Sequence, residues 1–415
     1  MTDLLTLAQR ARAAKSAVAR LGMIDKNRGL LAIADALEAH ERDILDANAL
    51  DIAHGHESGL NPGLIDRLTL PPARIKGMAD GCREVAALRD PIGEVLWMRT
   101  RPNGLRIGAQ RVPMGVIGII YEARPNVTVD AAALCFKAGS ACLLRGGKEA
   151  IHSSTCLAEI MRAALADEGL PADAINLIED TSRDSANRMM RLNGYLDVLI
   201  PRGGAGLIRA VVENASVPVI ETGTGNCHIY VDAHADLKMA KNILVNAKCS
   251  RPSVCNAAES LLVHAAVAER FLPLAADGLA AYGVKLHGCE RTRAILGSAV
   301  TPATEEDWGR EYLDFELSIK VVDSLDEAID HINTYNTGHS ESIVTEHYAA
   351  AQRFLDEVDA AAVYVNASTR FTDGGEFGFG AEIGISTQKL HARGPMGLEA
   401  LTTTKYIVYG SGQIR

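Results

Sequence analysis

The sequence predicts an α/β protein with two doubly wound parallel-sheet domains and a small β arm. Three observations support this fold class. Short apolar runs alternate with helical patterns between residues 115 and 231, and such alternation is typical of a parallel sheet with helices on both faces. A second series of the same kind runs from residue 232 to 366. Two β-prone runs flank Asn103-Gly104, which predicts a separate hairpin.

The chain up to residue 88 is predicted to be helical. Its apolar residues recur at helical spacing, and the pattern breaks near Gly22, around His54 to Pro62, and at Pro71-Pro72. The segment up to Arg20 is also rich in arginine, so an organelle transit peptide is the alternative reading. A structural helix is favoured, because the pattern continues without a break into the next helix.

The hairpin is predicted to pair Glu94–Thr100 with Leu105–Arg111. Asn-Gly favours a type I′ turn, because both central residues of that turn have positive φ. One further strand is predicted at residues 402–410. We assign residues 94–111 and 401–415 to a β oligomerisation arm, although an ordinary sheet edge is equally consistent with the pattern.

The first α/β series is divided into elements by its apolar runs. Six strands are predicted, at 115–121, 141–145, 175–178, 197–200, 217–220 and 228–231. Four helices are predicted, at 127–138, 149–168, 183–191 and 205–214. We therefore predict a first domain formed by residues 1–93 and 112–230. Residues 231–400 form the second, with a return of its last part to the first domain left open.

Composition and charge exclude several classes of protein. The chain has 415 residues, enough for more than one core, with 47% hydrophobic and 23% charged residues, as in a globular enzyme. The formal net charge is −10, which disfavours nucleic acid and anionic membranes as partners. The longest nearly apolar stretch, Val112 to Ile120, is too short to span a bilayer, and the N-terminus lacks the apolar core of a signal peptide. We expect a cytoplasmic enzyme.

Cys255 is the candidate nucleophile among eight scattered cysteines, whose spacing predicts neither a zinc site nor a disulfide framework. It precedes an apolar strand, Leu261 to His264, and Arg251 lies four residues before it. A nearby cation lowers a thiol pKa and favours nucleophilic attack. The alternative is a cysteine that only packs, because free cysteine is among the most buried residue types. Core positions are predicted for three others: Cys135, Cys142 and Cys156.

Two basic or glycine-rich loops follow predicted strands. The first contains Gly203, Gly204 and Gly206 and opens a predicted helix. Uncrowded amides at a helix N-terminus suit a pyrophosphate, and a tight strand-to-helix turn is the alternative. The second contains Arg145 and Lys148, which suit a nucleotide phosphate, although basic residues in such loops are usually only solvated.

Two further polar residues lie at predicted strand ends. The Asn126 amide is suited to donate to a developing oxyanion, with helix capping as its alternative role. Glu221 is suited to act as a base or as a structural acceptor. None of these motifs decides the function alone.

Six longer motifs occur in a characteristic order. They are VPMGVIGIIYEARPN (112–126), LLRGGK (143–148), ETGTGNCH (221–228), RPSVCN (251–256), FGFGAEIGIST (377–387) and HARGPM (391–396). In this order they resemble the aldehyde dehydrogenase superfamily over nearly the whole chain. The resemblance is strongest to the branch that reduces an acyl phosphate of glutamate. It implies an aldehyde-dehydrogenase-like fold with Cys255 as the nucleophile and Asn126 as the oxyanion donor. Glu221 then stands where hydrolytic relatives keep a general base.

The resemblance also implies a nicotinamide cofactor bound by the first domain, with catalysis in the second. Glu311 stands where relatives hold the nicotinamide ribose. Arg145 and Lys148 stand at the basic residue and the glutamate of the relatives' ribose-binding stretch. A cation in place of that glutamate favours NADPH, because it can pair with a 2′-phosphate. The spacing from Asn126 to Arg145 is shorter than in typical aldehyde dehydrogenases.

The implied activity is NADPH-dependent reduction of L-glutamyl 5-phosphate to L-glutamate 5-semialdehyde and phosphate, through a cysteine thioester, in proline biosynthesis. Glu122 and Arg124 are the candidates for the substrate's α-ammonium and α-carboxylate. Arg251 is the candidate for its phosphate, and Asn256 is a further candidate substrate ligand. A homo-oligomer and functional coupling to a glutamate 5-kinase are also expected.

The sequence departs from the family at Cys249-Ser250, where Thr-Gln is expected. Cys249 is predicted to pack beside the loop, with an oxidisable second thiol as the alternative. Two other functions remain open. One is a thiol hydrolase that binds no nucleotide, which a titration with NADPH would distinguish. The other is a catalytically silent binding protein.

Overall fold

Five helices form the N-terminal segment in the computed structural model, which describes residues 2–415. They are α1 (Leu4–Ala19), α2 (Met23–Ala39), α3 (Glu41–Glu57), α4 (Pro62–Leu68) and α5 (Pro72–Ala87). The predicted breaks at Gly22 and Pro71 are confirmed. The break at His40 was not predicted; its φ of −101° and ψ of 23° take it out of the helix. Leu7 and Ala11 of α1 are buried in the same apolar cluster as Val116 and Leu143, which favours a structural helix over a transit peptide.

The predicted hairpin is present, and its turn differs from the prediction. Strands β1 (Val95–Thr100) and β2 (Arg106–Pro113) pair antiparallel. The Gly104 amide donates to the Arg101 carbonyl at 2.9 Å, and positive φ occurs at Gly104 but not at Asn103. This geometry is a three-residue loop with glycine in the left-handed position, so the type I′ prediction is wrong.

The first parallel sheet has four strands. They are β3 (Val116–Tyr121), β4 (Ala141–Arg145), β5 (Ile175–Leu177) and β6 (Val198–Arg202), in the order β5-β4-β3-β6. Four helices connect or follow them: α6 (Asn126–Lys137), α7 (Ile151–Asp167), α8 (Arg183–Met189) and α9 (Ala205–Asn214). The strand predicted at 217–220 is wrong, because only one bridge, between Leu199 and Val219, forms there. The chain order reverses between β3 and β6, and ligands of such sheets bind at that point, outside the carboxyl ends of the strands.

The second parallel sheet has seven strands, in the order β10-β9-β11-β8-β7-β12-β13. The strands of this part are β7 (Cys227–Val231), β8 (Ala258–His264), β9 (Lys285–Gly288), β10 (Val300–Pro302), β11 (Glu316–Val322), β12 (Ser340–Val344), β13 (Ala362–Val365), β14 (Ile385–Ser386) and β15 (Gly394–Pro395). The helices are α10 (Leu237–Cys249), α11 (Ala265–Ala280), α12 (Glu290–Leu296), α13 (Glu305–Trp308), α14 (Leu325–Tyr335) and α15 (Tyr348–Glu357). Strands β14 and β15 form a separate antiparallel pair.

The chain divides into two compact units. The first contains the chain up to Thr222, with Gly378–Gly384 and Met396–Arg415; the second contains Gly223–Phe377 and Ile385–Pro395. This division differs from the boundary predicted at residue 230, because β7 pairs with β8 and β12 of the second sheet. Among the described residues, no helix combines the length and apolar character needed to cross a membrane.

The last strand, β16 (Thr402–Tyr409), pairs antiparallel with β2. Arg111 and Thr402, whose side chains are 3.1 Å apart, are separated by 291 positions in the chain. The arm is therefore a three-stranded sheet in the order β1-β2-β16.

We expect this sheet to form a subunit contact. Trp97, Tyr406 and Val408 are 37%, 72% and 56% exposed, and an apolar surface beside open strand edges favours association. Light scattering at micromolar concentration should give at least twice the chain mass of 44.3 kDa. Val408→Lys should reduce that mass, whereas Leu274→Lys, at an exposed position on α11, should not. A monomer mass for the unmodified chain would end this idea.

Candidate active site

Cys255 lies half-buried in the loop between α10 and β8. The Cys255 carbonyl accepts the S–H of Cys227 at 3.2 Å. A Cβ placed on Gly225 would lie 1.5 Å from the Cys255 carbonyl oxygen. The loop backbone therefore packs directly on the glycine-containing segment that leads into β7, and these contacts fix the position of the cysteine backbone.

A buried ion pair joins the two ends of the same loop. Lys248, on the last turn of α10, lies 2.6 Å from the carboxylate of Glu259 on β8, and both side chains are fully buried. The second oxygen of Glu259 accepts the amide of Leu313. Burial raises the pKa of Glu259 to about 7, although Lys248 opposes this shift. Separating the two partners would leave each charge buried and uncompensated. The pair therefore restrains both ends of the loop.

Glu311 contacts Gly225, on which the backbone of Cys255 packs. Its carboxylate accepts the Gly225 amide at 2.7 Å, and burial raises its pKa. The contact of Glu311 with a nicotinamide ribose remains a prediction. In this structure the carboxylate stabilises the segment that supports Cys255.

Asn256 joins the Cys255 loop to a second loop, residues 368–372. Its Nδ2 donates to the Thr372 carbonyl at 3.0 Å, and Thr369 Oγ1 donates to the Asn256 carbonyl at 2.7 Å. Arg370 donates to Asn256 Oδ1. Both polar atoms of the Asn256 side chain are therefore engaged within the protein, and its predicted contact with substrate is untested. Arg251 is exposed.

The other cysteines differ from Cys255 in their surroundings. Cys249 is buried in the core of the second sheet, and burial raises its pKa to about 11. Cys135 and Cys142 are fully buried, as predicted. Cys156 is only half-buried on α7, so its predicted core position is wrong. Burial raises the pKa of Cys227 as well, which favours the neutral thiol beside the Cys255 carbonyl.

Asn126 is the first residue of α6, and Pro125 occupies the N-cap position. The alternative role of Asn126 as a cap is therefore not observed. Its Nδ2 donates instead to Asp130 Oδ2 at 2.9 Å. Burial raises the pKa of Asp130 to about 6, opposed by the bond from Asn126 and by the charge of Arg202. Asp130 thus orients the amide proposed as an oxyanion donor.

Glu122 and the glycine loop meet where the strand order of the first sheet reverses. Glu122 Oε2 accepts the Gly204 amide at 2.8 Å, directly before α9. A Cβ on Gly203 would lie 2.5 Å from the same carboxylate, whereas nothing lies within 4 Å of a Cβ on Gly206. The helix N-terminus predicted to bind a pyrophosphate already donates to an anionic group, the Glu122 carboxylate. A bound phosphate would compete with Glu122, whose predicted role was to bind substrate.

Arg145 and Lys148 differ in their exposure. Arg145 donates to the carbonyls of Thr181 and Ser182 at 2.5 and 3.0 Å, and burial lowers its pKa. Lys148 is exposed, at the start of a short 3₁₀ helix. Since β4 and β6 both pair with β3, Lys148 and Gly204 follow strands on either side of the central one. This arrangement suits a ligand that extends across the carboxyl ends of the strands.

The predicted site residues are distributed over both compact units. The first unit contains Glu122, Arg124, Asn126, Arg145, Lys148, Gly203, Gly204, Gly206 and Glu221. The second contains Arg251, Cys255, Asn256 and Glu311. Arg124 and Glu221 are half-buried. No group of three or more His, Cys, Asp or Glu is arranged to hold a metal in the part of the chain that the structure describes.

Comparison with known proteins identifies the family. The model of the aldehyde dehydrogenase family matches residues 2–307 and 317–407. The gamma-glutamyl phosphate reductase of Clostridium novyi (strain NT) is 64% identical over 408 residues, which cover 98% of each chain. The chain belongs to the gamma-glutamyl phosphate reductases of the aldehyde dehydrogenase family. A crystal structure of gamma-glutamyl phosphate reductase from Thermotoga maritima matches with a TM-score of 0.97 and 51% identity, over 100% of each chain.

Membership of the gamma-glutamyl phosphate reductases confirms the predicted family and fold class. The family is one of oxidoreductases, so neither a thiol hydrolase nor a silent binding protein is favoured. Sequence reasoning missed three residues of the candidate site: Gly225, Asp130 and Arg370. Asp130 had a local signal, because it lies one helical turn after Asn126. Arg370 lies far along the chain from Cys255 and had none.

Proposed function

We propose that the chain reduces L-glutamyl 5-phosphate to L-glutamate 5-semialdehyde and phosphate with NADPH, through a thioester on Cys255, as a step of proline biosynthesis. The observation that carries this proposal is the 64% identity, over 98% of each chain, to a protein named gamma-glutamyl phosphate reductase. The placement of Cys255 on a restrained loop supports it. We further propose that a glutamate 5-kinase supplies the acyl phosphate.

The chemistry begins with attack of the Cys255 thiolate on the acyl carbon of the substrate. The new C–S bond forms through a tetrahedral oxyanion, for which Asn126 is the proposed side-chain donor. Cleavage of the bond to the phosphate oxygen then releases phosphate and leaves the thioester. The restrained backbone of Cys255 supports this step, because a nucleophile held in position loses less entropy on reaching the transition state.

The first unit contains groups that fit a dinucleotide cofactor. The N-terminus of α9 donates to an anionic group at Gly204, the carboxylate of Glu122, and Lys148 is exposed after β4, on the other side of β3. A Cβ on Gly206 would meet no atom within 4 Å, so the backbone at the second residue of α9 is unobstructed. Bound NADPH would supply the hydride that reduces the thioester. Glu122 would leave the Gly204 amide when a cofactor phosphate takes its place.

Phosphate should be required when the reaction runs in the oxidative direction. A reductase of acyl phosphates transfers its acyl group from Cys255 to phosphate, because hydrolysis would destroy the activated substrate. We expect reduction of NADP⁺ by glutamate 5-semialdehyde to depend on phosphate, with arsenate as a substitute. Absorbance at the NADPH band measures this directly. Rapid NADPH formation in phosphate-free buffer, with glutamate as product, would instead indicate a hydrolytic dehydrogenase with Glu221 as its general base.

Lys148 should set the preference for NADPH. A charge-assisted bond to a 2′-phosphate corresponds to roughly ten- to a hundred-fold in binding. Lys148→Glu is therefore expected to weaken NADPH binding by about that factor and to leave NADH binding unchanged or improved. Lys238→Glu makes the same charge change at an exposed position on α10 and should alter neither. An unchanged ratio of the NADPH and NADH dissociation constants in Lys148→Glu would show that another residue binds the 2′-phosphate.

A further inference from the structure

The guanidinium of Arg370 lies over the loop that carries Cys255. Its Nε donates to Ser250 Oγ at 3.1 Å, and its Nη1 donates to Asn256 Oδ1. Ser250 precedes Cys255 by five residues and Asn256 follows it directly. The two bonds therefore hold one planar cation against both sides of the cysteine loop.

The position of Arg370 is determined by further contacts of its own loop. Thr369 donates to the Asn256 carbonyl, and the Asn256 amide donates to the Thr372 carbonyl. The arginine is half-buried. A guanidinium has five N–H donors, and the bonds to Ser250 and Asn256 use two of them. Three donors thus remain for a ligand on a side chain that is already ordered, which reduces the entropy lost on binding.

The charge around Arg370 is unbalanced. Within residues 2–415, Arg370 forms no ion pair with a carboxylate, whereas the surface cations Arg353 and Arg393 each do. Burial lowers the pKa of Arg370, the like charge of Arg251 lowers it further, and Cys255 and Asp373 raise it. Two cations therefore act on one region beside the candidate nucleophile. A partly buried cation without a paired carboxylate is costly, and binding of an anion relieves that cost.

We propose that Arg370, together with Arg251, binds the phosphate group of the acyl phosphate, and inorganic phosphate when the reaction is reversed. This inference rests on the proposed function. Guanidinium groups match phosphate oxygens through parallel N–H donors. As the C–S bond to Cys255 forms and the C–O bond breaks, the bonding electron pair leaves with phosphate. The two arginines stabilise this added negative charge, so Arg370 makes phosphate, rather than water, the partner of the thioester.

Kinetics in the oxidative direction test this role. Arg370→Met is expected to raise the KM for phosphate about ten- to a hundred-fold, the size of a charge-assisted contact, with a much smaller change in the KM for the semialdehyde. Arg370→Lys should give an intermediate KM, because lysine keeps the charge and loses the bidentate geometry. Arg291→Met, an exposed arginine paired with Asp323, is the control for general loss of positive charge. A raised semialdehyde KM with an unchanged phosphate KM would assign Arg370 to the substrate carboxylate and overturn the inference.

Alkylation of Cys255 provides a second test that needs no turnover. In the unmodified protein, Cys255 should react faster with anionic iodoacetate than with neutral iodoacetamide. Inorganic phosphate should slow the reaction with iodoacetate. Both effects should decrease in Arg370→Met or, if that variant unfolds, in Arg370→Lys. An unchanged ratio of the two alkylation rates in both variants would contradict the inference. If the unmodified protein forms NADPH without phosphate while these effects persist, the proposed function fails and the anion site remains.

Discussion

Cys255→Ala is expected to reduce turnover at least about 1000-fold, because removing a covalent nucleophile leaves only binding and electrostatic catalysis. The fold should be retained. Two contacts that hold the loop are made by the Cys255 backbone: its carbonyl accepts from Cys227 and packs against Gly225. Alanine keeps both contacts. NADPH binding should be retained as well. Steady-state rates, a thermal unfolding curve and a titration with NADPH measure turnover, folding and cofactor binding.

Cys249→Thr is the matched control for loss of a thiol near the same loop. Cys249 is buried, and burial raises its pKa to about 11, so it is not a thiolate near neutral pH. We expect this variant to remain active. If it lost as much activity as Cys255→Ala while remaining folded, the assignment of Cys255 as the only essential thiol would be wrong.

Gly225→Ala should have the second largest effect. Its new Cβ would lie 1.5 Å from the Cys255 carbonyl oxygen and 2.3 Å from the carbonyl carbon. These are backbone atoms that cannot rotate away, so the loop itself must shift. Displacement of a reacting group by about 1 Å costs about a hundred-fold in rate, and overpacking costs about 1–3 kcal/mol of stability. We expect both losses, measured as kcat and as the free energy of unfolding.

Gly77→Ala controls for the general effect of adding a methyl group to a glycine. Gly77 lies within α5, and no atom lies within 4 Å of its added Cβ. Alanine is favoured over glycine inside a helix by up to about 1 kcal/mol, so this variant should be equally or more stable. Normal kcat and normal stability in Gly225→Ala would show that the loop does not depend on the absence of a side chain at residue 225.

The sheets were largely predictable, because buried parallel strands are continuous apolar runs separated by helical patterns. The run at 217–220 satisfied the same criterion and does not form a strand. Val217 and Ile220 are buried, yet only Val219 bridges to Leu199. Burial of a short apolar run does not determine whether its backbone joins a ladder. The boundary predicted at residue 230 differed for a related reason, since the partners of β7 lie later in the chain.

The candidate site was only partly predictable. The motifs identified Cys255 because its loop is continuous in sequence and matches the family. The contact of Glu122 with Gly204 joins residues 82 positions apart, and that of Arg370 with Asn256 joins residues 114 apart. No local spacing indicates such pairs. They depend on which strand ends are neighbours, and only the three-dimensional structure gives that.

The pairing of β16 with β2 has a consequence for synthesis of the chain on the ribosome. The hairpin of β1 and β2 emerges early, yet the strand that completes its sheet is translated almost 300 residues later. During that interval the outer edge of β2 lacks its native partner, and nascent chains with unpaired strand edges are prone to misassembly. Met396–Arg415, the last segment of the first unit, is translated after both segments of the second unit. Truncation before residue 402 should therefore yield a chain that aggregates, even though every candidate site residue has already been synthesised.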